Sequence, residues 1–332
     1  MVGTWSFCRR GLLAGTAATA ANGLAEESAA GTALAQAGTA APPTAPAAAP
    51  RRGLECVVLG TKGGPRVGPG RSNPGYVFLV EGVPYLVDCG PRVTSQLIAA
   101  GIPLQSIRKI FITHHHNDHN IEYGNVANLA WTNGLNRPIE SYGPPPLRRM
   151  TELFWELNER DITIRMADEG RPDPRTLLKP TELERPGIVY EDDKVRVTAA
   201  LVNHPPIEPA FAFRFDAAGR SIVFSGDTTA DDRLVALARD ADVLLHEVIY
   251  VPGIDAIVAS LPNAATLREH LIASHTPTGD VGRVAKEARV KKLVLTHLVP
   301  GDNPRIPDSA WTDEPRSAFN GEVVLGQDLM RL

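Results

Sequence analysis

The sequence lacks several features that would assign a function directly. It holds 3 cysteines in 332 residues and no Cys-x-x-Cys pair, which excludes a thiolate zinc knuckle. Its formal net charge is −4, so no basic excess marks a nucleic-acid-binding surface. The glycine-rich segments 63–65 and 68–70 do not have the spacing of a nucleotide-binding loop. What is present is a globular composition with 43% hydrophobic residues, enough for a large core.

The N-terminal region differs in kind from the rest of the chain. Arg9 and Arg10 stand directly before a mildly apolar, Ala/Gly-rich stretch, and the triplet 33–35 offers a small-residue cleavage site. This pattern predicts a twin-arginine export signal over residues 1–35, and hence a periplasmic or secreted protein; the alternative is a chance arginine pair. The apolar stretch is too short and too rich in Gly and Thr for a stable membrane span. Residues 36–53 read as an Ala/Pro-rich linker.

From residue 54 onward, short β-rich runs alternate with amphipathic helical patterns. This alternation predicts an α/β layered fold in a single domain over residues 54–332. Cys56 and Cys89 lie in strand-like runs, where buried thiols are favoured and a disulfide is not ruled out. The Pro- and charge-rich segment 143–187 surrounds one amphipathic helix and is either a cap over a site or a packed surface excursion.

The most informative feature is Thr113–His119, which contains the pattern His-x-His-x-Asp-His directly after an apolar, β-branched run. Its imidazoles and carboxylate suit Zn²⁺, or less commonly Mn²⁺ or Fe²⁺, and the alternative is a His-rich surface loop. Further candidates occur downstream, most of them where an apolar run ends and a sheet presents side chains to one cleft. They are His204, Asp227, His246, Glu247, His275 and His297. Seven of the 9 histidines fall in these motifs, which leaves His115 and His270 over.

Ligand counting distributes these side chains over two metal sites. Three neutral imidazoles are typical of a hydrolytic zinc site, and a carboxylate between two ions holds them about 3.5–4 Å apart. A water between the ions then has a pKa of about 7 and serves as the nucleophile. A turn-capping Asp227 and a structural His297 are the alternatives at those two positions. The first site takes His114, His116 and His204, the second Asp118, His119 and His297, and Asp227 bridges them.

Taken in order, and with Leu86–Gly90 before them, these motifs resemble the metallo-β-lactamase superfamily, most closely its ribonuclease Z / arylsulfatase-like branch. The resemblance covers about residues 54–300 and implies an αββα sandwich with a dizinc cleft at the edge of two sheets. It also implies that His275 donates a proton to the leaving group and that Glu247 orients it, with Asp118 counted among the catalytic residues. Asp88 is expected to steady the histidine loop, or else to form a strand-ending turn.

The sequence departs from the family pattern at two places. Residues 120–124 replace the usual small-residue turn after His119. Only 22 residues separate His204 from Asp227, an interval that holds a long tRNA-gripping arm in tRNA-processing ribonuclease Z. A plain hairpin there, no basic face and an export signal all argue against tRNA maturation.

The expected function is therefore that of an exported dizinc hydrolase acting on small esters, with sulfate and phosphate (di)esters favoured. The alternatives are a lactonase or β-lactamase-type hydrolase, an RNA 3′-end nuclease without the gripping arm, and a non-catalytic metal-binding protein. The expected partner is a small-molecule ester, with no nucleic acid; a homodimer stays open.

Overall fold

Two β-sheets organise residues 53–261 and 263–332, which are the residues that the computed structural model describes. In the first sheet the strands lie in chain order, with the first two pairings antiparallel and the last three parallel. Its strands are β1 (Leu54–Gly60), β2 (Gly75–Val80), β3 (Val83–Val87), β4 (Lys109–Phe111), β5 (Ile139–Gly143) and β6 (Leu178–Glu182).

The second sheet repeats the same pairing pattern with one additional edge strand. Its first three pairings are antiparallel and its last three are parallel, again in chain order. The strands are β7 (Gly187–Glu191), β8 (Val195–His204), β9 (Ile207–Ala217), β10 (Arg220–Phe224), β11 (Val243–Ile249), β12 (Lys292–Val299) and β13 (Glu322–Leu325). The two halves of the fold are thus built alike, although no repeat is evident in the sequence.

Helices cover the outer face of each sheet. The described helices are α1 (Val93–Ala99), α2 (Asn117–Asn120), α3 (Tyr123–Thr132), α4 (Leu147–Leu157), α5 (Glu159–Asp168), α6 (Asp232–Leu237), α7 (Asp255–Ser260), α8 (Leu267–Ser274), α9 (Thr278–Glu287) and α10 (Asp308–Ala318). Buried residues of α1, α3, α4 and α5 share a hydrophobic cluster with the first sheet. Those of α6, α9 and α10 share another with the second sheet.

The core between the sheets is aromatic. Phe78 of the first sheet stacks on Phe215 of the second, with ring centroids 4.0 Å apart, and Phe111 meets Phe215 edge-on at 5.5 Å. All three side chains are fully buried, and such aromatic pairs add stability beyond the apolar area that they bury. The helix–sheet–sheet–helix order confirms the predicted αββα sandwich.

The structure also locates the segments that the sequence left open. In 143–187, α4 and α5 pack on the outer face of the first sheet, with Leu147, Trp155 and Ile162 buried in its cluster. Cys56 and Cys89 are buried free thiols. The predicted signal over residues 1–35 lies outside the described residues and stays a prediction. In the described part of the chain, no helix combines the length and the apolar character needed to cross a membrane.

Candidate metal centre

One edge of the sandwich gathers the candidate ligands because strands of both sheets end there. His114 follows β4, His204 ends β8, Asp227 follows β10, and His297 lies near the end of β12. Gly226 turns the chain after β10 with φ of 60°, and a Cβ there would lie 2.6 Å from the Phe211 carbonyl oxygen. Only glycine fits this turn, which aims Asp227 into the cleft.

The first group of ligands consists of three imidazoles and a carboxylate. The Nδ1 atom of His116 lies 3.1 Å from Nε2 of His114 and 3.1 Å from Nε2 of His204. Nitrogens that share a tetrahedral zinc at about 2.0–2.1 Å lie roughly 3.3 Å apart, so this spacing fits one ion. The Oδ2 atom of Asp227 completes the group at 3.9 Å from His114 and 3.8 Å from His204.

The second group forms beside the first. The Nε2 atoms of His119 and His297 are 3.2 Å apart, and Oδ2 of Asp118 lies 3.6 Å from the former and 3.4 Å from the latter. Oδ2 of Asp227 is also 3.3 Å from His119 and 3.2 Å from His297. One carboxylate oxygen therefore lies within reach of both groups, which is the arrangement that a bridging ligand requires.

The donor set fits divalent cations. Oδ1 of Asp227 is buried and has no hydrogen-bond partner among the described residues, a costly condition that a cation would relieve. Burial lowers the pKa of His114 well below its ordinary value and lowers that of His204 to about 3, so both imidazoles stay neutral with free lone pairs. Metal ligation requires this neutral form.

The two aspartates supply the negative charge. Burial alone would raise the pKa of Asp227, but its electrostatic interactions with the imidazoles of His297 and His119 outweigh it and hold the pKa well below the usual value. Burial opposes ionisation of Asp118 as well, yet His119 and His297 lower its pKa to about 2. Both carboxylates are therefore ionised at neutral pH, and both are available as anionic ligands.

Hydrogen bonds from outside the groups fix the ligand rings. Oδ2 of Asp88 lies 2.7 Å from Nδ1 of His119, and its Oδ1 accepts the backbone N–H of Thr113 at 2.8 Å. Nδ1 of His204 lies 2.8 Å from the carbonyl oxygen of Ser274. Asp88 is fully buried and thus contacts the histidine loop directly, as the sequence led us to expect. Such partners orient ligands and raise their basicity.

We expect Asp88→Asn to weaken zinc binding by about 10–100-fold, because an amide nitrogen cannot accept the His119 N–H. Asp88 has φ of 60°, and asparagine tolerates this conformation, so the exchange isolates the loss of the carboxylate. Zinc titration against a competing chelator measures the change. Asp193→Asn, in an exposed turn, is the matched control. Equal zinc affinity of Asp88→Asn and the wild type would contradict this role.

The pair Glu247 and His275 lies beside the ligands. Oε1 of Glu247 accepts the backbone N–H groups of Thr228 at 3.2 Å and Thr276 at 2.8 Å, and its Oε2 is 3.3 Å from Nδ1 of His275. Burial alone would lower the pKa of His275, but Glu247 and the more distant aspartates outweigh it and raise the pKa to about 9. The contact between the two residues was only implied by family resemblance, and the structure brings them together. His275 also forms a third potential ligand group with Asp227 and His297.

Besides His275, three histidines lie outside the two ligand groups. His246 is fully buried, with Nδ1 2.6 Å from the Glu247 carbonyl oxygen. His115 joins Asn120, at 3.0 Å, to the carbonyl oxygen of Pro144, at 2.7 Å. His270, which belongs to none of the sequence motifs, packs beside the candidate ligand His116. Its only signal in the sequence was proximity to His275 along the chain.

The residues that replace the usual turn after His119 have structural partners. The Glu122 carboxylate accepts the backbone N–H groups of Arg92 and Thr94, at 2.7 and 2.8 Å, at the start of α1. The Tyr123 hydroxyl lies 2.7 Å from Ser141 Oγ and 2.9 Å from Thr151 Oγ1. The residues that depart from the family pattern thus connect the histidine loop to the elements around it.

Comparison with known proteins places this geometry in a family. The family model described as a β-lactamase superfamily domain matches residues 84–298. The chain belongs to the metallo-β-lactamase superfamily. Its fold is therefore that of this family of metal-dependent hydrolases, and the His and Asp groups are of the kind that holds divalent metal.

Relatives within the superfamily extend over nearly the whole domain. Ribonuclease Z of Mycobacterium bovis (strain BCG / Pasteur 1173P2) is 30% identical over 285 residues, covering 84% of this chain and 98% of the relative. The crystal structure of human tRNase Z, short form, has a TM-score of 0.60 at 25% identity, covering 84% and 98% of the two chains. The metallo-β-lactamase fold protein YhfI of Bacillus subtilis has a TM-score of 0.62 at 22% identity, covering 84% and 99%, and shows the fold alone.

These relatives overturn one prediction from the sequence. The expectation of a small-molecule partner and no nucleic acid is wrong, because the relatives are named Ribonuclease Z and tRNase Z. We based that expectation on the absence of a basic face, on the predicted export signal and on the short interval between His204 and Asp227, which β9 and β10 fill without an arm. The alignment covers 84% of this chain and 98% of the mycobacterial relative, so a long arm cannot be present in only one of these two chains. The missing arm therefore does not separate this chain from the mycobacterial relative.

Proposed function

We propose that the protein is a metal-dependent phosphodiesterase that cleaves RNA, with RNA 3′ ends as the substrate class. The observation that carries this proposal is Asp227 shared between two ligand groups, with Glu247 and His275 beside them. A pair of ions is suited to in-line displacement at phosphorus. The names of the relatives support the choice of RNA among phosphodiesters.

The proposed cofactors are two Zn²⁺ ions, or Mn²⁺ or Fe²⁺. When bound, such a pair supplies an activated water as the nucleophile and stabilises negative charge on the phosphate. The ligands proposed for the first ion are His114, His116 and His204, those for the second are Asp118, His119 and His297, and Asp227 serves both.

The protein's own residues act on the leaving group. We assign proton donation to His275, because an RNA sugar oxygen is a poor leaving group that needs a proton as its bond to phosphorus breaks. Glu247 is the positioning residue. Its Oε1 is held by two backbone N–H groups, which leaves Oε2 facing Nδ1 of His275 at 3.3 Å. His275 is 5% exposed, so bulk water has little access to the proton.

The test compares three substrates with the full chain, zinc-loaded and chelator-treated. The substrates are an RNA hairpin with a 3′ extension, bis(4-nitrophenyl) phosphate and 4-nitrophenyl sulfate. We expect zinc-dependent cleavage of the RNA and of the phosphodiester, and no turnover of the sulfate. The sulfate is included because the family branch that the sequence resembles also contains arylsulfatases. Turnover of the sulfate without cleavage of the RNA would refute the proposal.

A further inference from the structure

His270 lies at the cleft, although it belongs to neither ligand group. It sits on α8, five residues before His275, and is partly exposed. Its ring centroid is 6.3 Å from that of His116, with the two rings nearly perpendicular at 86°. His116 is itself a partly exposed member of the first ligand group. His270 therefore lies beside the accessible face of the metal centre.

Ser274 fixes the position of His270 relative to the ligands. The Ser274 hydroxyl lies 2.6 Å from the Pro205 carbonyl oxygen and 2.7 Å from that of His270. The Ser274 carbonyl oxygen lies 2.8 Å from Nδ1 of the ligand His204. One residue thus connects α8, the turn after β8 and a metal ligand. These contacts place the backbone and the Nδ1 atom of His270 in a defined position relative to the centre.

The same contacts determine which ring nitrogen of His270 carries the proton. Ser274 Oγ has one hydrogen, and both carbonyl oxygens beside it can only accept, so that hydrogen is used on one of them. Nδ1 of His270 lies 3.3 Å from Ser274 Oγ and therefore acts as the donor in this contact. In the neutral ring, Nε2 is then an acceptor, and it has no hydrogen-bond partner among the described residues.

We infer that His270 is a substrate-binding residue that accepts a hydrogen bond from the ribose hydroxyl next to the oxygen that leaves. This inference rests on the proposed function. An unprotonated Nε2 accepts from a hydroxyl but repels a phosphate oxygen, which has no hydrogen to give. When the 3′ oxygen of an RNA leaves, the neighbouring group is the 2′-hydroxyl. That hydroxyl is the group by which a protein distinguishes RNA from DNA.

The experiment combines a protein change with a single-atom change in the substrate. The cleavage site in the RNA hairpin is mapped with wild-type protein, and a second hairpin carries 2′-deoxyribose at the nucleotide whose 3′ oxygen leaves. We expect the wild type to lose about tenfold in kcat/KM on the deoxy substrate, the effect of one lost hydrogen bond. His270→Phe keeps a ring beside His116 but has no nitrogen. It should cleave both substrates at the same reduced rate.

Two further variants separate hydrogen bonding from a structural effect. His270→Gln retains an acceptor and should restore part of the preference for the 2′-hydroxyl. Glu269→Ala removes an exposed neighbour on the same helix and should retain the full wild-type preference. Zinc content measured on each variant reports an intact centre. Undiminished preference in His270→Phe overturns the inference, whereas a wild type that cleaves no RNA overturns the proposed function itself.

Discussion

Asp227→Asn is expected to lower kcat/KM by about 10³-fold or more and to reduce the bound zinc below two ions per chain. One oxygen of this carboxylate lies within 3.9 Å of four ligand nitrogens from both groups. Charge stabilisation by metal is worth several kcal/mol in a hydrolytic transition state, and each 1.36 kcal/mol is tenfold in rate. Asparagine keeps the size of the side chain but removes the charge that both ions would share.

Metal analysis and kinetics on the same samples measure this effect. Asp232→Asn is the matched control, because it removes an exposed aspartate five residues further along the same connection. It should retain both ions and full activity. Asp227→Asn with two tightly bound zinc ions and unchanged kcat/KM would show that the carboxylate is a turn residue, the alternative that its sequence context left open.

The ligand groups could be predicted because the residues that identify each candidate ligand are its close neighbours in the sequence. Each ligand stands in a short motif at the end of an apolar run, and strand ends of a layered sheet meet at one edge. The Ser225-Gly226-Asp227 turn illustrates this, since its glycine and its aspartate are adjacent in both sequence and space. The alternation of strands and helices predicted an α/β layered fold, and the family resemblance added the αββα order that the structure shows.

Other parts of the site depend on contacts between distant residues, and no spacing rule reveals those. Asp88 meets His119 across 31 positions, and His204 meets the Ser274 carbonyl across 70. His270 lies in none of the motifs that carry the family resemblance. The role that we propose for it depends on α8, which brings it beside His116. The wrong exclusion of a nucleic-acid partner has a different cause. Net charge and the missing arm bear on how RNA is bound, and neither determines whether a protein cleaves RNA.

His275→Ala is expected to affect substrates according to how much their leaving oxygen needs a proton. On RNA, loss of a general acid should lower kcat/KM by about 10²–10⁴-fold. On bis(4-nitrophenyl) phosphate the leaving 4-nitrophenolate is already stable as an anion, so we expect a loss below about tenfold. Glu247→Gln should reproduce part of the selective loss on RNA, since the amide cannot hold the imidazolium as the carboxylate does.

This comparison also distinguishes the two roles that the geometry allows for His275. Its ligand atom lies within 4.8 Å of those of Asp227 and His297, so it could hold metal rather than donate a proton. A lost ligand would weaken zinc binding and slow both substrates alike, because each needs the same activated water. Loss of a general acid leaves two zinc ions bound and slows cleavage of the RNA far more than cleavage of bis(4-nitrophenyl) phosphate. Nδ1 faces Glu247 at 3.3 Å, an arrangement that suits either role, since Asp88 faces Nδ1 of the candidate ligand His119 in the same way. The two ligand groups, with Asp227 shared, already offer four donors each without His275, so we assign it the acid role, and equal loss on both substrates would contradict that role.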